Sequence, residues 1–337
     1  MKEAVLYDRL EDRAVKCHLC RHGCKIDEGK KGICGVRLNE DGTLFTLVYD
    51  KVVSTNVDPI EKKPLFHFLP GSKSFSIATV GCNFFCTFCQ NYSISQMPRD
   101  RGRIIGEAYS PSEIVALAVA NDCRSIAYTY TEPTIYYELA RETMVEAKKS
   151  GVFNVFVTNG YMTRDMLDDA KGLIDAANVD LKAFNDRFYL HYCKARREGV
   201  IDTLRYMKEL GIWLEVTTLL IPTLNDDPTE VRELARFIRN DLGAGTPWHV
   251  SRYYPQYKEQ GLPPTDVEAL RRVRQVGLDE GLHYVYTGNI PWDPGEKTYC
   301  PGCSLLLIDR EGYKIQKYAL KEGLCPKCGY RLDGIEL

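Results

Sequence analysis

Residues 82–89 read CNFFCTFC, three cysteines spaced C-x3-C-x2-C, and they follow the strand-like run SKSFSIATVG. Thiolates are soft ligands for zinc or iron, and three of them leave a metal one protein ligand short. On a four-iron cubane, three thiolates leave one iron open, and an open position distinguishes a reactive centre from a structural one. The plainer alternative is a zinc ion completed by a remote side chain. The stretch follows a strand, where a β/α sheet presents its catalytic groups, and this favours the reactive reading.

Two further groups each supply four thiolates. Cys300 and Cys303 in CPGC, with Cys325 and Cys328 in CPKCG, form two knuckles separated by the strand-like runs SLLLIDR and YKIQKYAL. Paired C-x2-C elements predict a closed tetrahedral site, with zinc favoured over the single iron of a rubredoxin-like knuckle. The metal would fold a tail too short to build a core of its own. Near the N-terminus, CHLCRHGCKIDEGKKGICG carries Cys17, Cys20, Cys24 and Cys34. Zinc and an auxiliary iron-sulfur cluster both fit that spacing. His18 and His22 lie nearby, but four cysteines already complete a site, so both read as solvated or supporting residues. Cys123 and Cys193 stand alone and read as small buried hydrophobes.

The elements that must position these groups alternate regularly. Between residues 74 and 290, the runs SFSIATV, SIAYTY, VFNVFVT, ANVDL, WLEVTTLLI, WHVSRYY and HYVYT are separated by segments of helical period, several opening at Ser, Thr or Asp and closing at Gly. Repeated β-α units imply a parallel sheet with right-handed crossovers. The expected fold is α/β, a partial (β/α)6-type TIM barrel over residues 71–292, and a doubly wound open sheet is the rival. A four-cysteine module over residues 1–70, with a hairpin at LNEDGTLF, and a zinc-ribbon or rubredoxin-like knuckle module over residues 296–337 are expected to flank it.

Bulk composition narrows the class. The chain has 337 residues, 44% hydrophobic and 27% charged, and a formal net charge of -2, so nothing in its balance argues for nucleic acid. Its start, MKEAVLYDRLEDR, is too charged for a signal peptide, and its longest apolar run, IVALAVA, falls far short of the ~20 residues that span a bilayer. Eleven of the thirteen cysteines are clustered and read as metal ligands in a reducing compartment, and the protein is expected in the cytoplasm.

Cys82, Cys86 and Cys89, with Phe88 immediately before the third cysteine, resemble the signature of the radical S-adenosylmethionine (SAM) superfamily. YTYTEP stands where the branch of the pyruvate formate-lyase activating enzymes carries Gly-Gly-Glu-Pro, VTNGY resembles its Thr-Asn-Gly element, and VDLKAFND its Asp-Leu-Lys element. With the N-terminal cysteines, KPLFHFLPGS and the C-terminal knuckles, the chain looks closer still to the AmmeMemoRadiSam system radical SAM enzymes.

The resemblance implies an iron-bound SAM whose reductive cleavage gives a 5'-deoxyadenosyl radical that abstracts hydrogen, chemistry that belongs to the cofactor. It implies that Phe88 flanks the adenine and that Glu132 meets the SAM ammonium. Asp180 and Lys182, on one strand face, would meet its polar groups. Thr158 and Asn159 would contact SAM or a cation, and Glu215 and Thr217 its ribose or carboxylate. Tyr130 and Thr131 replace two glycines, so either the backbone stands farther from SAM or the Thr131 hydroxyl adds a contact. His249 and His67 read as packed core residues. A flavodoxin- or ferredoxin-type electron donor and, by analogy, Memo-family and associated small-protein partners are implied.

Two versions of the enzyme remain: a glycyl radical activase with a protein partner, or a modifier of another target. The alternative from a different class is a metal module that transfers electrons, or that binds RNA through knuckles of which YKIQKYALKEG is only weakly basic and aromatic.

Overall fold

A computed structural model describes residues 1–337. Seven parallel strands carry the core: β1 (Lys73–Thr79), β2 (Cys123–Tyr128), β3 (Phe153–Thr158), β4 (Ala176–Asp180), β5 (Trp213–Leu220), β6 (Trp248–Arg252) and β7 (Val285–Gly288). Helices α1 (Pro111–Ala120), α2 (Tyr137–Lys149), α3 (Arg164–Asp169), α4 (Arg197–Glu209), α5 (Pro228–Phe237) and α6 (Val267–Asp279) form the six crossovers. The strands are nearly continuous apolar runs because helices cover one face and the barrel interior the other. Helix starts follow the capping residues: Ser110 and Glu113 form a reciprocal capping box at α1, and Thr163, Asp227 and Asp266 accept first-turn amides at α3, α5 and α6.

Strands β7 through β1 lie side by side in chain order. A doubly wound sheet would reverse direction at a switch point, so this order selects the barrel. Beyond β1 the sheet continues antiparallel through Lys51–Pro59 and Glu107–Ala108, and β7 forms the opposite edge, so the barrel stays open. Residues 51–59, placed with the N-terminal module from sequence, are therefore part of the core sheet.

The N-terminal residues form two three-stranded sheets, including the expected hairpin of Arg37–Glu40 with Thr43–Thr46, turned through Asp41 and Gly42 at positive φ. Val15, Leu19 and Val36 belong to the same apolar cluster as Phe84, Tyr161 and Met162. A buried Arg37–Glu138 ion pair joins this sheet to α2.

In the tail, Leu306–Glu311 and Lys314–Tyr318, both strand-like in sequence, pair antiparallel. Leu307, Ile308 and Leu320 pack on Phe66, Tyr284 and Tyr286, setting the tail beside the unpaired edge of β7. His67 fastens the arrangement, its Nδ1 lying 2.6 Å from the Asp333 carbonyl oxygen and its Nε2 2.6 Å from the Tyr286 hydroxyl. No helix is long and apolar enough to cross a membrane.

Candidate active site at the carboxyl ends of the strands

Gly81 turns the chain out of β1 at a φ of +106°, and an added Cβ would meet Val36 Cγ1 at 2.7 Å. Only glycine gives both that conformation and that close approach. The cysteine loop that follows is pinned by its backbone. The Phe85 amide donates to the Cys193 carbonyl (3.0 Å), the Thr87 amide to the Tyr192 carbonyl (3.1 Å), and Arg99 donates to the carbonyls of Cys82 (2.7 Å) and Phe84 (3.0 Å).

Donors also face the sulfurs: the Phe84 amide lies 3.3 Å and Asn159 Nδ2 3.8 Å from Cys82 Sγ, and Ser95 Oγ lies 3.2 Å from Cys89 Sγ. Burial pushes the Cys82 thiol well above its ordinary range, helped by Glu132 and Cys86, and pushes Cys89 up to about 11. The Cys193 thiol against it draws Cys86 lower, with burial opposing and Lys182 assisting. Three sulfurs this close repel one another as thiolates, so a cation that replaces their protons favours joint ionisation, which is the condition for a metal cluster.

These cysteines line a cavity of about 950 Å3 together with Phe88, Glu132, Thr158, Asn159, Asp180, Lys182 and Thr217. Glu132 caps the turn after β2. Its Oε1 accepts from the Thr134 amide (3.1 Å) and the Thr158 hydroxyl (2.7 Å), and its Oε2 from the Asn159 amide (2.8 Å). Thr158 and the Asn159 backbone thus hold the carboxylate in place, while the Asn159 side chain donates to Asn83 (2.7 Å) and leans on Cys82. Burial raises the Glu132 pKa and those donors oppose the rise.

Lys182 and Asp180 pair at 2.9 Å on the face that alternation predicted. Burial alone would lower the Lys182 pKa, but Asp180 and the neighbouring cysteines lift it well above its ordinary value, so the side chain stays a cation. Phe88 packs against Phe188 with ring centroids 5.6 Å apart.

Thr217 Oγ1 is buried, lines the cavity and has no partner in the fold. An orphaned hydroxyl there fits a polar ligand. The donors at sulfur, the fixed carboxylate, the half-buried ammonium and this hydroxyl match what an iron-sulfur cluster and a zwitterionic sulfonium ligand require.

Two residues differ from expectation. Glu215 is not in the cavity wall: its carboxylate accepts from the amides of Phe66 (2.9 Å) and His67 (2.7 Å) and lies 2.7 Å from His249 Nε2. It anchors the 60–71 loop inside the barrel. Thr131 donates its hydroxyl to the Thr79 carbonyl (2.9 Å), committing its proton to the fold. Tyr130 takes a φ of +61°, the left-handed conformation that the replaced glycine would favour, so the chain keeps the glycine path despite the side chain. His249 is buried as expected, and His22 Nε2 lies 2.9 Å from the Asn83 carbonyl, directly behind the cysteine loop.

In the tail, all four sulfurs of Cys300, Cys303, Cys325 and Cys328 lie within 4.8 Å of one another. The Cys300–Cys328 and Cys303–Cys325 sulfurs are 3.5 Å and 3.6 Å apart. A tetrahedron with metal–sulfur bonds of about 2.3 Å has edges of about 3.8 Å, so this donor set fits one ion. Neither the 82–89 cysteines nor any three of Cys17, Cys20, Cys24 and Cys34 draw in to that spacing.

Cys193, read from sequence as a small buried hydrophobe, lies against Cys86, and Glu61, Glu296 and Tyr313 had no place in that reading. Cys193 arrives against Cys86 through the irregular helical turn Tyr189–Cys193, which has no motif. The other three reach the cavity from the 60–71 loop and from the tail.

Residues 76–238 match the radical SAM superfamily. An uncharacterized protein of Methanocaldococcus jannaschii is 46% identical over 99% of both chains. A putative glycyl-radical enzyme activating enzyme of the same organism is 25% identical over 61% of this chain and 78% of its own length. A pyruvate formate-lyase-activating enzyme of Listeria monocytogenes is 26% identical over 59% and 85%. Among solved structures, a radical SAM methyltransferase from Sphaerobacter thermophilus superposes with a TM-score of 0.52 at 20% identity, over 65% of this chain and 67% of that one, which bears on the fold alone. With the three-cysteine loop at the carboxyl end of the first strand of an open barrel, these matches make the chain an enzyme of the radical SAM superfamily.

Proposed function

We propose that Cys82, Cys86 and Cys89 hold a four-iron cluster with one iron open to SAM, and that the protein abstracts hydrogen from a substrate in the same cavity. When bound, the pair would supply reductive cleavage of the sulfonium and a 5'-deoxyadenosyl radical. The chain's own residues bind and orient. Glu132, fixed by Thr134, Thr158 and Asn159, would receive the SAM ammonium. The Lys182–Asp180 pair would meet its carboxylate and ribose, Phe88 would flank its adenine, and Thr217 would donate its free hydroxyl.

The observation that carries this reading is the convergence of three cysteine thiols, Cys86 buried and Cys82 and Cys89 half-buried, with a pre-bonded carboxylate and a half-buried lysine on one cavity. Anaerobically reconstituted protein given SAM and dithionite should release 5'-deoxyadenosine, and Cys86→Ala should abolish release. An intact cluster without SAM cleavage would favour simple electron transfer instead.

The tail is proposed to bind one zinc ion. At Cys17, Cys20, Cys24 and Cys34 we favour a second iron-sulfur cluster over zinc because this group lies beside the 82–89 cysteines. Arg99 spans from the Ile33 carbonyl (2.9 Å) to the Cys82 carbonyl, so the two cysteine groups are near neighbours, suited to passing electrons from a flavodoxin- or ferredoxin-type donor. About eight irons per chain, rather than about four, would support that assignment. The names of the two partly matching relatives favour a protein target, a glycyl radical enzyme, as the second reading.

A further inference from the structure

We infer that the part of the cavity bounded by Glu61 and Glu296 is a substrate subsite for a protonated amine. The inference rests on the SAM-cleaving reading, since substrate and SAM must share one cavity. Glu61 sits in the short helical turn Ile60–Lys62, in the loop that crosses the barrel. Its Oε1 accepts from the Gly71 amide (2.8 Å) and lies 3.8 Å from Arg310 Nε. Its Oε2 has no partner at all, although the residue is only 1% exposed and lines the cavity. A buried carboxylate oxygen left without a donor is costly, so a donor from a ligand is the economical solution.

Glu296 enters the same cavity from the start of the tail, with one oxygen held by the Gly312 amide at 2.9 Å. Arg310 is the cation shared by both carboxylates, and its two terminal nitrogens are committed to Thr298 (2.7 Å) and the Phe66 carbonyl (2.8 Å). Lys62 and Lys63, at the same wall, are both taken by Asp58, at 2.8 Å and 2.6 Å. Burial raises the pKa of both acids, Glu296 to about 7, and Arg310 only partly opposes the rise, so a ligand cation between them would favour their charged forms. Phe66, Ile290, Pro291 and Tyr313 supply an apolar surface for the carbon skeleton that carries it. Neither acid hydrogen-bonds to the cysteine loop or to Glu132, so this subsite is separate from the one assigned to the SAM ammonium.

The probe is n-butylammonium, compared with n-butanol, titrated by calorimetry into reconstituted, SAM-saturated protein. A charge-assisted hydrogen bond in a buried site should favour the amine by about tenfold or more. That preference should fall toward unity in Glu61→Gln, which keeps the side-chain shape, and weaken in Glu296→Gln. Equal affinity for the two probes, no binding of either, or a preference unchanged in both variants would overturn the inference. SAM binding is read separately beforehand. Its failure would count against the SAM reading, while the amine titration, run without SAM, would still decide the subsite.

Discussion

Acid should loosen the tail from the barrel through His67. The ring is fully buried among Trp213, Tyr284 and Tyr286, and its Nδ1 faces a carbonyl, so Nδ1 carries the hydrogen and Nε2 accepts from the Tyr286 hydroxyl. Burial pushes its pKa down to about 4 from an ordinary 6.5, with Glu215 opposing and Arg310 and His249 adding to the depression. The unfolded chain therefore takes up this proton first as pH falls. Its contribution to stability is intact above pH 6.5 and is lost progressively down to about 4. The gap of about 2.5 pH units, at about 1.4 kcal/mol each, amounts to about 3 kcal/mol, of which about 2 kcal/mol is lost between pH 7 and pH 5. Urea unfolding of wild type and His67→Phe at both pH values isolates this term, since the other titrating groups cancel in the difference. Protection of tail amides from hydrogen exchange should fall in wild type over the same range. A His67 signal titrating near 6.5 in the folded protein by NMR, or identical pH slopes in the two proteins, would refute the reasoning.

Other perturbations have equally definite outcomes. Glu132→Gln should weaken SAM binding about 10- to 100-fold, the loss of one charge-assisted contact in a buried site, as read by equilibrium dialysis. Cys193→Ala should retain the cluster and 5'-deoxyadenosine release, because Cys193 packs against Cys86 without closing the metal; loss of iron would make it a fourth ligand. Removing one tail thiolate in Cys300→Ser should release about one metal ion, zinc in the proposed assignment, by elemental analysis and expose the tail to protease, because a metal there would hold its small core together. Glu138→Ala should destabilise the protein by about 3–5 kcal/mol in chemical unfolding, because it strands the buried Arg37 guanidinium.

Some of this was written in local spacing and some was not. The 82–89 triplet and the tail knuckles were legible because ligands a few residues apart must lie near one another whatever the rest of the chain does. The barrel was legible because buried parallel strands and capped helices leave a repeating pattern. Alternation placed Asp180 with Lys182 correctly, but it assigned Glu215 and Thr217 to one face without their depth: Thr217 reaches the cavity, while Glu215 is claimed by the Phe66 and His67 amides. The 60–71 loop and the tail meet beside an open barrel edge that strand periodicity does not describe. Glu61 and Glu296 therefore carried no signal in the sequence, and neither did the contact of Cys193 with Cys86.

The central claim is that one iron at Cys82, Cys86 and Cys89 is open and takes SAM directly. Electron-nuclear double resonance on the reduced protein, with SAM labelled at its amino nitrogen with 15N, tests it most directly. A 15N hyperfine coupling at the cluster, absent in Cys86→Ala, is the predicted result. A cluster spectrum unchanged by SAM, with no coupling, would contradict the account.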